Sequence, residues 1–264
     1  MSEIKLLGRV FINANILAVS GLQIGGSGSG LEIGGVDKAV IRNPLNNRPY
    51  IPGSSLRGKM RSQTEKKLGL PQNNRVGQAT IHTCKKPEEY QKNGGCPVCV
   101  VFGVPASAEA AFSQPTRLVV RDALLSDDSA KDLDNANTEL RFAEIKTEIT
   151  IDRVTSAATP RTIERVPAGA LFGPTELVFN IYEKADYNRL KTVIEAMQLV
   201  EDDYLGGGGS RGSGKIRFTD IEILARPSEN YSKPIHFHNF DTIQELADSF
   251  ADLQKWLAEN MPAE

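Results

Sequence analysis

The chain is poor in cysteine, histidine and tryptophan: among 264 residues there are three, three and one. An odd number of cysteines, behind an N-terminus that lacks the basic-then-apolar layout of a secretory leader, argues against a disulfide framework. No stretch approaches the roughly 20 apolar residues that a membrane helix needs, so the expectation is a cytoplasmic protein with no membrane partner. No glycine run has the lysine and serine or threonine of a P-loop. Three histidines leave little room for histidine-based acid–base catalysis. The net charge of -2 excludes a uniformly basic nucleic-acid binder.

What is present is unevenly distributed. From Lys38 to Lys86 there are eleven lysines and arginines against one acid, Glu65. From Asp241 to Glu264 there are six acids against Lys255. This asymmetry suggests a basic face for phosphates and an acidic tail elsewhere, although a solvated face would carry the same residues. At 40% hydrophobic residues the chain can build one large core with insertions.

Residues 4–19 partly alternate and are rich in isoleucine, leucine and valine, which predicts a long strand. A glycine-rich loop follows at 20–35, then a short strand at 36–42 and a turn at 43–49. Ser54 or Ser55 is the expected N-cap of a helix running to about Lys67, with Leu56 and Met60 inward and Arg57, Lys59 and Arg61 on another face. Further strands are expected at 116–125, 140–154 and 175–183, with a polar loop at 126–139 and a protruding hairpin at 155–170. A helix over 186–200 should bury Leu190, Val193, Ile194 and Met197. A second glycine loop, Gly206–Gly214, leads into a strand, KIRFTDIEIL. The C-terminal stretch 241–258 reads as one amphipathic helix with Asp241 and Gln244 as a capping box. His236 and His238 alternate in a strand or turn. Strands interleaved with two or three helices predict an α+β fold, best matched by a ferredoxin-like sheet of the RNA-recognition type.

His82, Cys84, Cys96 and Cys99 are four soft ligands in an irregular region, 70–105. Cys96-Pro97-Val98-Cys99 follows a glycine turn and suits chelation, so the expected reading is a structural Zn²⁺ site. A redox pair or unlinked buried thiols are the alternatives. Four ligands leave no open position, so no catalytic role is assigned. Arg211 and Lys215 flank the second glycine loop, where Gly207 and Gly208 would let backbone amides approach a phosphate.

In order along the chain, GLQIGG (21–26), VDKAVIRNPLNNRPYIPGSSLRGKMR (36–61), IDRVTSAATPRTIERV (151–166) and DYLGGGGSRGSGKIRF (203–218) resemble the repeated backbone subunit of type III-A CRISPR effector complexes, within the RAMP superfamily. Residues beyond about 230 lie outside these blocks. The resemblance implies a modified RNA-recognition-motif fold in a single domain, 1–264. A zinc-containing insertion would occupy 70–105, a thumb hairpin 146–170 and a helical extension 240–264. It implies copies stacking along a CRISPR guide RNA and cleaving complementary target RNA at regular intervals. Other partners would be the large polymerase-like subunit and the small subunit.

By the same resemblance Asp37 is the cleaving carboxylate, working with Mg²⁺ or another divalent cation. Ser54, Ser55, Arg57, Lys59, Arg61, Arg153, Arg165, Gly207, Gly208 and Arg211 are candidate RNA contacts, with Arg161 beside them. Glu144 and Glu148 match nearby family acids, and Gln23 stands where some relatives have histidine. The competing functions are a non-catalytic RNA-binding backbone and a repeat-processing endoribonuclease.

Overall fold

In the computed structural model, residues 4–25, 38–104, 114–136 and 138–261 are described. The expected first strand forms as β1 (Gly8–Ala18), whose inward set Val10, Ile12, Ala14, Ile16 and Ala18 is fully buried while the alternate residues are half-buried. That period-2 pattern is what one covered sheet face requires. Of the strand expected over 36–42, residues 36 and 37 lie outside the described residues, and the rest forms isolated bridges at Lys38, Val40 and Arg42. The 43–49 turn is held by Asn43 Oδ1, which accepts from the Leu45 amide at 2.9 Å.

A two-residue strand, β2 (Tyr50–Ile51), leads into α1 (Gly53–Lys67). Neither Ser54 nor Ser55 caps this helix. Pro52 stands at the N-cap, and the cap is supplied from elsewhere in the chain by Asp122, whose carboxylate accepts the Gly53 amide at 2.7 Å. Only glycine fits at 53, because a Cβ would stand 2.2 Å from the Val120 carbonyl oxygen. Leu56 and Met60 face the core as expected.

The insertion comprises a small hairpin, β3 (Asn74–Val76) and β4 (Ala79–Ile81), and two short helices, α2 (Pro87–Gln91) and α3 (Pro97–Phe102). The strand expected over 116–125 is two: β5 (Leu118–Val120), and β6 (Ala123–Leu124), which pairs with β2. The stretch expected as a polar loop at 126–139 contains a helix, α4 (Asp127–Asn135). Ser126 caps it by accepting the Ser129 amide at 3.2 Å, and Asp127 and Asp128 favour its N-terminus. The hairpin is long and regular: β7 (Glu144–Ile151) and β8 (Ala158–Arg165) pair from Glu144↔Arg165 to Ile151↔Ala158. Then come β9 (Leu171–Ile181), α5 (Ala185–Asp202), β10 (Ile216–Pro227) and β11 (Ile235–Phe240). The expected single C-terminal helix divides at Ser249 into α6 (Ile243–Asp248) and α7 (Phe250–Asn260). The capping box lies one residue later than expected: Thr242 accepts the Glu245 amide, and Glu245 accepts that of Asp241 at 3.0 Å.

The main sheet is antiparallel throughout, in the order β11-β10-β1-β9-β5. Helices α1 and α5 pack on each other and on the sheet, and α5 buries Leu190, Val193, Ile194 and Met197. Full burial of each such side chain contributes about 1.5–3 kcal/mol. A buried ion network ties the β5 edge to α5. Asp186, wholly enclosed, accepts Arg117 Nε at 2.5 Å and Arg189 Nη1 at 2.7 Å. The chain is thus an α+β protein built on an antiparallel sheet, with an insertion at one end and a two-stranded hairpin apart from the main sheet.

Candidate metal centre and nucleic-acid interface

His82 follows β4, Cys84 lies two residues on, Cys96 is the N-cap of α3 and Cys99 sits in its first turn. All four are buried, and their ligand atoms lie within 4.8 Å of one another. His82 Nε2 is 3.8 Å from Cys84 Sγ and 3.4 Å from Cys96 Sγ. Tetrahedral zinc, with Zn–S about 2.3 Å and Zn–N about 2.0 Å, needs ligand separations of roughly 3.5–3.8 Å. The four residues therefore fit a tetrahedral ion such as zinc.

The surroundings aim the ligands. His82 Nδ1 lies 3.1 Å from the Pro71 carbonyl oxygen, which turns Nε2 toward the cluster, and the Cys84 amide donates to Cys99 Sγ at 3.3 Å. Hydrogen bonding from Cys99, reinforced by His82, lowers the Cys96 thiol to about 5, while burial raises Cys84 to about 11. Of the three thiols, Cys96 is the one whose surroundings favour the thiolate.

Two arginines expected at RNA hold this insertion instead. Arg61 is buried and donates to Glu65 Oε1 at 2.8 Å, to the His82 carbonyl at 2.7 Å and to the Gly103 carbonyl at 3.2 Å. Arg57 donates to the carbonyls of Leu118 and Phe102 and to Thr116 Oγ1. Both guanidiniums face the protein because backbone carbonyls at the end of α3 and the start of β5 lie within their reach. Helical spacing alone could not reveal this. Lys59 differs: its ammonium sits 3.5 Å above the Tyr204 ring and 2.7 Å from Asp203 Oδ2, at the entrance to the second glycine loop. Ser54 is exposed and Ser55 half-buried in the first turn of α1.

The two glycine loops meet. The Gly207 amide donates to the Gln23 carbonyl at 2.7 Å, and the Gly214 amide to the Gly21 carbonyl at 3.0 Å. A Cβ on Gly207 would lie 2.2 Å from Gln23 Oε1. The glycine at 207 therefore answers the close approach of buried Gln23, and its amide is committed to protein rather than offered to a phosphate. Gly208 takes a left-handed conformation, φ 71°, before the turn that carries Arg211.

The hairpin roots beside these loops. Leu22 bridges Val166, and Arg165 donates to Glu144 Oε1 at 2.5 Å and to Ser213 Oγ at 3.4 Å. Arg153, Arg161 and Arg211 line one open groove of about 780 Å³ together with Lys146 and Glu148. Glu148 accepts Arg161 at 2.8 Å and pairs with Arg211 at 2.9 Å, so the hairpin and the second glycine loop converge on it. Asp37 lies outside the described residues; its neighbour Lys38 bridges Ile163 of β8, and the Lys38 carbonyl accepts the Glu164 amide at 3.0 Å. Sequence reading missed Glu164. Its buried carboxylate accepts the Val40 amide at 3.0 Å and pairs with Arg42, clamping the 38–42 segment to the hairpin. His236 and His238 are exposed on β11, an edge strand of the main sheet, to which the hairpin does not belong.

The molecule is thus of the α+β class, with a buried soft-ligand cluster and a groove along its hairpin lined by Lys146, Arg153, Arg161 and Arg211. Residues 3–217 match the family description "RAMP superfamily". The "CRISPR system Cms endoribonuclease Csm3" of Methanocaldococcus jannaschii is 41% identical over 235 residues, covering 88% of this chain and 87% of that protein. That of Methanothermobacter thermautotrophicus is 38% identical over 248 residues, covering 90% and 94%. Among solved structures, a chain of the Csm3–Csm4 subcomplex in the type III-A CRISPR-Cas interference complex superposes with a TM-score of 0.60 at 30% identity. That match covers 94% of this chain and 98% of the other. The chain belongs to the RAMP superfamily and, within it, to the Csm3 family of CRISPR endoribonucleases.

Proposed function

We propose that this chain is the repeated backbone subunit of a type III CRISPR effector complex and an endoribonuclease that cleaves target RNA. The observation that carries the reading is the convergence of Arg153 and Arg161 of the hairpin with Arg211 of the glycine loop on one groove, in a chain of the Csm3 family. A modified RNA-recognition fold is supported by the chain order β1-α1-β5-β9-α5-β10 and the sheet order β10-β1-β9-β5. These are the order and layout of the ferredoxin-like βαββαβ unit.

In this reading the guide RNA runs past Ser54, Ser55 and Lys59, beside Gly208 and Arg211. The hairpin acts as a thumb, with Arg153, Arg161 and Arg165 toward RNA. Copies of the chain stack head to tail along the guide, an interface that need not close, beside a Csm4-like subunit, the large polymerase-like subunit and the small subunit. A cytoplasmic location follows from that assembly. Zinc bound by His82, Cys84, Cys96 and Cys99 holds the insertion and takes no part in the chemistry.

RNA carries its own nucleophile. The 2′-hydroxyl gives up its proton as its oxygen bonds to the adjacent phosphorus, the bond from phosphorus to the 5′-oxygen breaks and that oxygen takes up a proton from solvent, and the products are a cyclic phosphate and a 5′-hydroxyl. The protein's part is to splay a nucleotide so that attack is in line. Asp37 orients the 2′-hydroxyl or holds a divalent cation, which when bound supplies charge stabilisation at the phosphate. Through Glu164 and the Lys38 bridge, the segment following Asp37 is fixed to β8.

The test is target cleavage by the assembled complex carrying Asp37→Ala. Guide and target binding are expected to persist while cutting stops at every regularly spaced site, because all copies carry the change. Cleavage at the wild-type rate would make the chain a purely structural backbone. Processing of repeat RNA by the isolated chain would favour the processing-nuclease alternative.

A further inference from the structure

Glu148 occupies an unusual place for an acid in a groove read as binding RNA. On β7 it stands directly opposite Arg161 of β8 in the hairpin register, and Lys146, two residues earlier, shares its face. Arg211 arrives from a different part of the chain. One oxygen, Oε2, receives Arg161 at 2.8 Å and Arg211 at 2.9 Å; the other, Oε1, has the Lys146 ammonium at 3.5 Å. Lys146 Nζ also donates to the Arg211 carbonyl at 2.9 Å, so the three cations are drawn to one point. The Glu148 side chain is only 9% exposed. With Arg153, the groove carries four cations and this one acid.

Two guanidiniums and an ammonium around a pair of anionic oxygens are the donor set that a phosphodiester recruits. Without an anion the three cations would repel one another and spread. We propose that Glu148 is a built-in stand-in for an RNA phosphate: in the RNA-free chain it holds Lys146, Arg161 and Arg211 together, and a backbone phosphate of single-stranded RNA competes with it for them. This rests on the reading of the groove as an RNA site and gives it a regulator. The carboxylate lowers the affinity of a single copy for passing RNA, so that firm binding depends on several groove contacts at once. Glu148 is then neither a catalytic acid nor a mere strut, and the two ordinary roles predict different outcomes.

The experiment measures binding of a fluorescently labelled 20-nucleotide polyuridine RNA to the full chain by anisotropy, over a salt series. Glu148→Gln keeps the side-chain shape and removes the charge. Its expected effect is tighter binding, by about fivefold near physiological salt, with a log–log salt slope steeper by up to about one phosphate contact. Arg211→Gln in the otherwise wild-type chain, which leaves the Glu148–Arg161 pair in place, should weaken binding less than about threefold. The same change on top of Glu148→Gln should cost more, because Arg211 is then fully engaged by RNA.

Unchanged or weaker binding by Glu148→Gln overturns the proposal, and loss of cleavage with binding intact reassigns the residue to the chemistry. Should Glu148→Gln fail to fold, the Arg211→Gln measurement alone decides, a large loss being the adverse result. Wild-type chain that binds no RNA at all removes the RNA reading of the groove as well. Wild-type binding without the gain in Glu148→Gln removes only this inference.

Discussion

Arg61, in the middle of α1, donates a hydrogen bond to the backbone carbonyl of His82, the first residue of the soft-ligand cluster, at 2.7 Å. The same guanidinium pairs with Glu65 one turn on, and both side chains are almost fully enclosed. The helix that begins at the candidate RNA face therefore also fixes the insertion. Arg61→Ala leaves the buried Glu65 carboxylate with the Gln72 amide as donor at 3.0 Å but without its cation, a change that costs about 3–5 kcal/mol. Denaturant unfolding should report a loss of that order and a lower midpoint. An unaltered midpoint would show that the pair contributes nothing.

Metal removal should act locally. With all four ligand atoms within 4.8 Å of one another, elemental analysis of freshly purified chain should find one zinc per chain. Prolonged chelation, or Cys96→Ser, should raise amide exchange across 80–103, where the insertion is held by the cluster and by a few carbonyls such as Gly94, bonded to Arg189 at 2.9 Å. The sheet around β1 should remain protected. Exchange that rises equally everywhere would mean that the metal holds the whole fold.

How far the sequence was legible follows from which information is local. β1 and α5 announced themselves because their burial pattern repeats along the chain. The Cys/His cluster was legible because ligand chemistry restricts the residue types. Helix α4 was missed although Ser126, Asp127 and Asp128 form an ordinary N-terminus. Its polar composition read as loop, and only Ser129, Ala130 and Leu133 are buried. The cap of α1 was not legible at all, since Asp122 lies 69 residues away. For the same reason Arg57 and Arg61 read as a phosphate-facing pair. Their acceptors are carbonyls of α3, β5 and the residue after β4, which no spacing within 53–67 encodes.

Glu201 on α5 yields a pH dependence. Burial raises its carboxyl above the ordinary 4.5, although it accepts the Phe218 amide at 2.5 Å. Because the folded value lies above the unfolded one, the associated stability is complete below the ordinary value and declines as pH rises through the folded one. Glu201→Gln retains an acceptor for Phe218 and removes the ionisation. The thermal midpoint of the variant relative to wild type should therefore be flat below about pH 4.5, climb as pH rises above it, and level off once the folded carboxyl has ionised. A difference independent of pH would mean that Glu201 is not penalised when charged.

The candidate RNA contacts should rank by how far protein partners already hold them. Arg153 is exposed on the hairpin and lines the groove. Lys59 lies between Asp203 at 2.7 Å and the Tyr204 ring at 3.5 Å, so a phosphate must compete for it. Arg61 is buried against carbonyls and Glu65 and offers a phosphate nothing. Each phosphate contact to single-stranded RNA contributes about 0.7 to the slope of log affinity against log salt. Arg153→Ala should lower the slope by close to that amount and weaken binding several-fold at moderate salt. Lys59→Ala should lower it by less, because Asp203 already neutralises part of the ammonium's charge before RNA arrives. Arg61→Ala, measured at a temperature where the variant remains folded, should leave the slope unchanged. A slope that falls for Arg61→Ala as much as for Arg153→Ala would mean that α1 turns its arginines outward when RNA binds, and the inward anchoring of the insertion would then be a feature of the RNA-free chain alone.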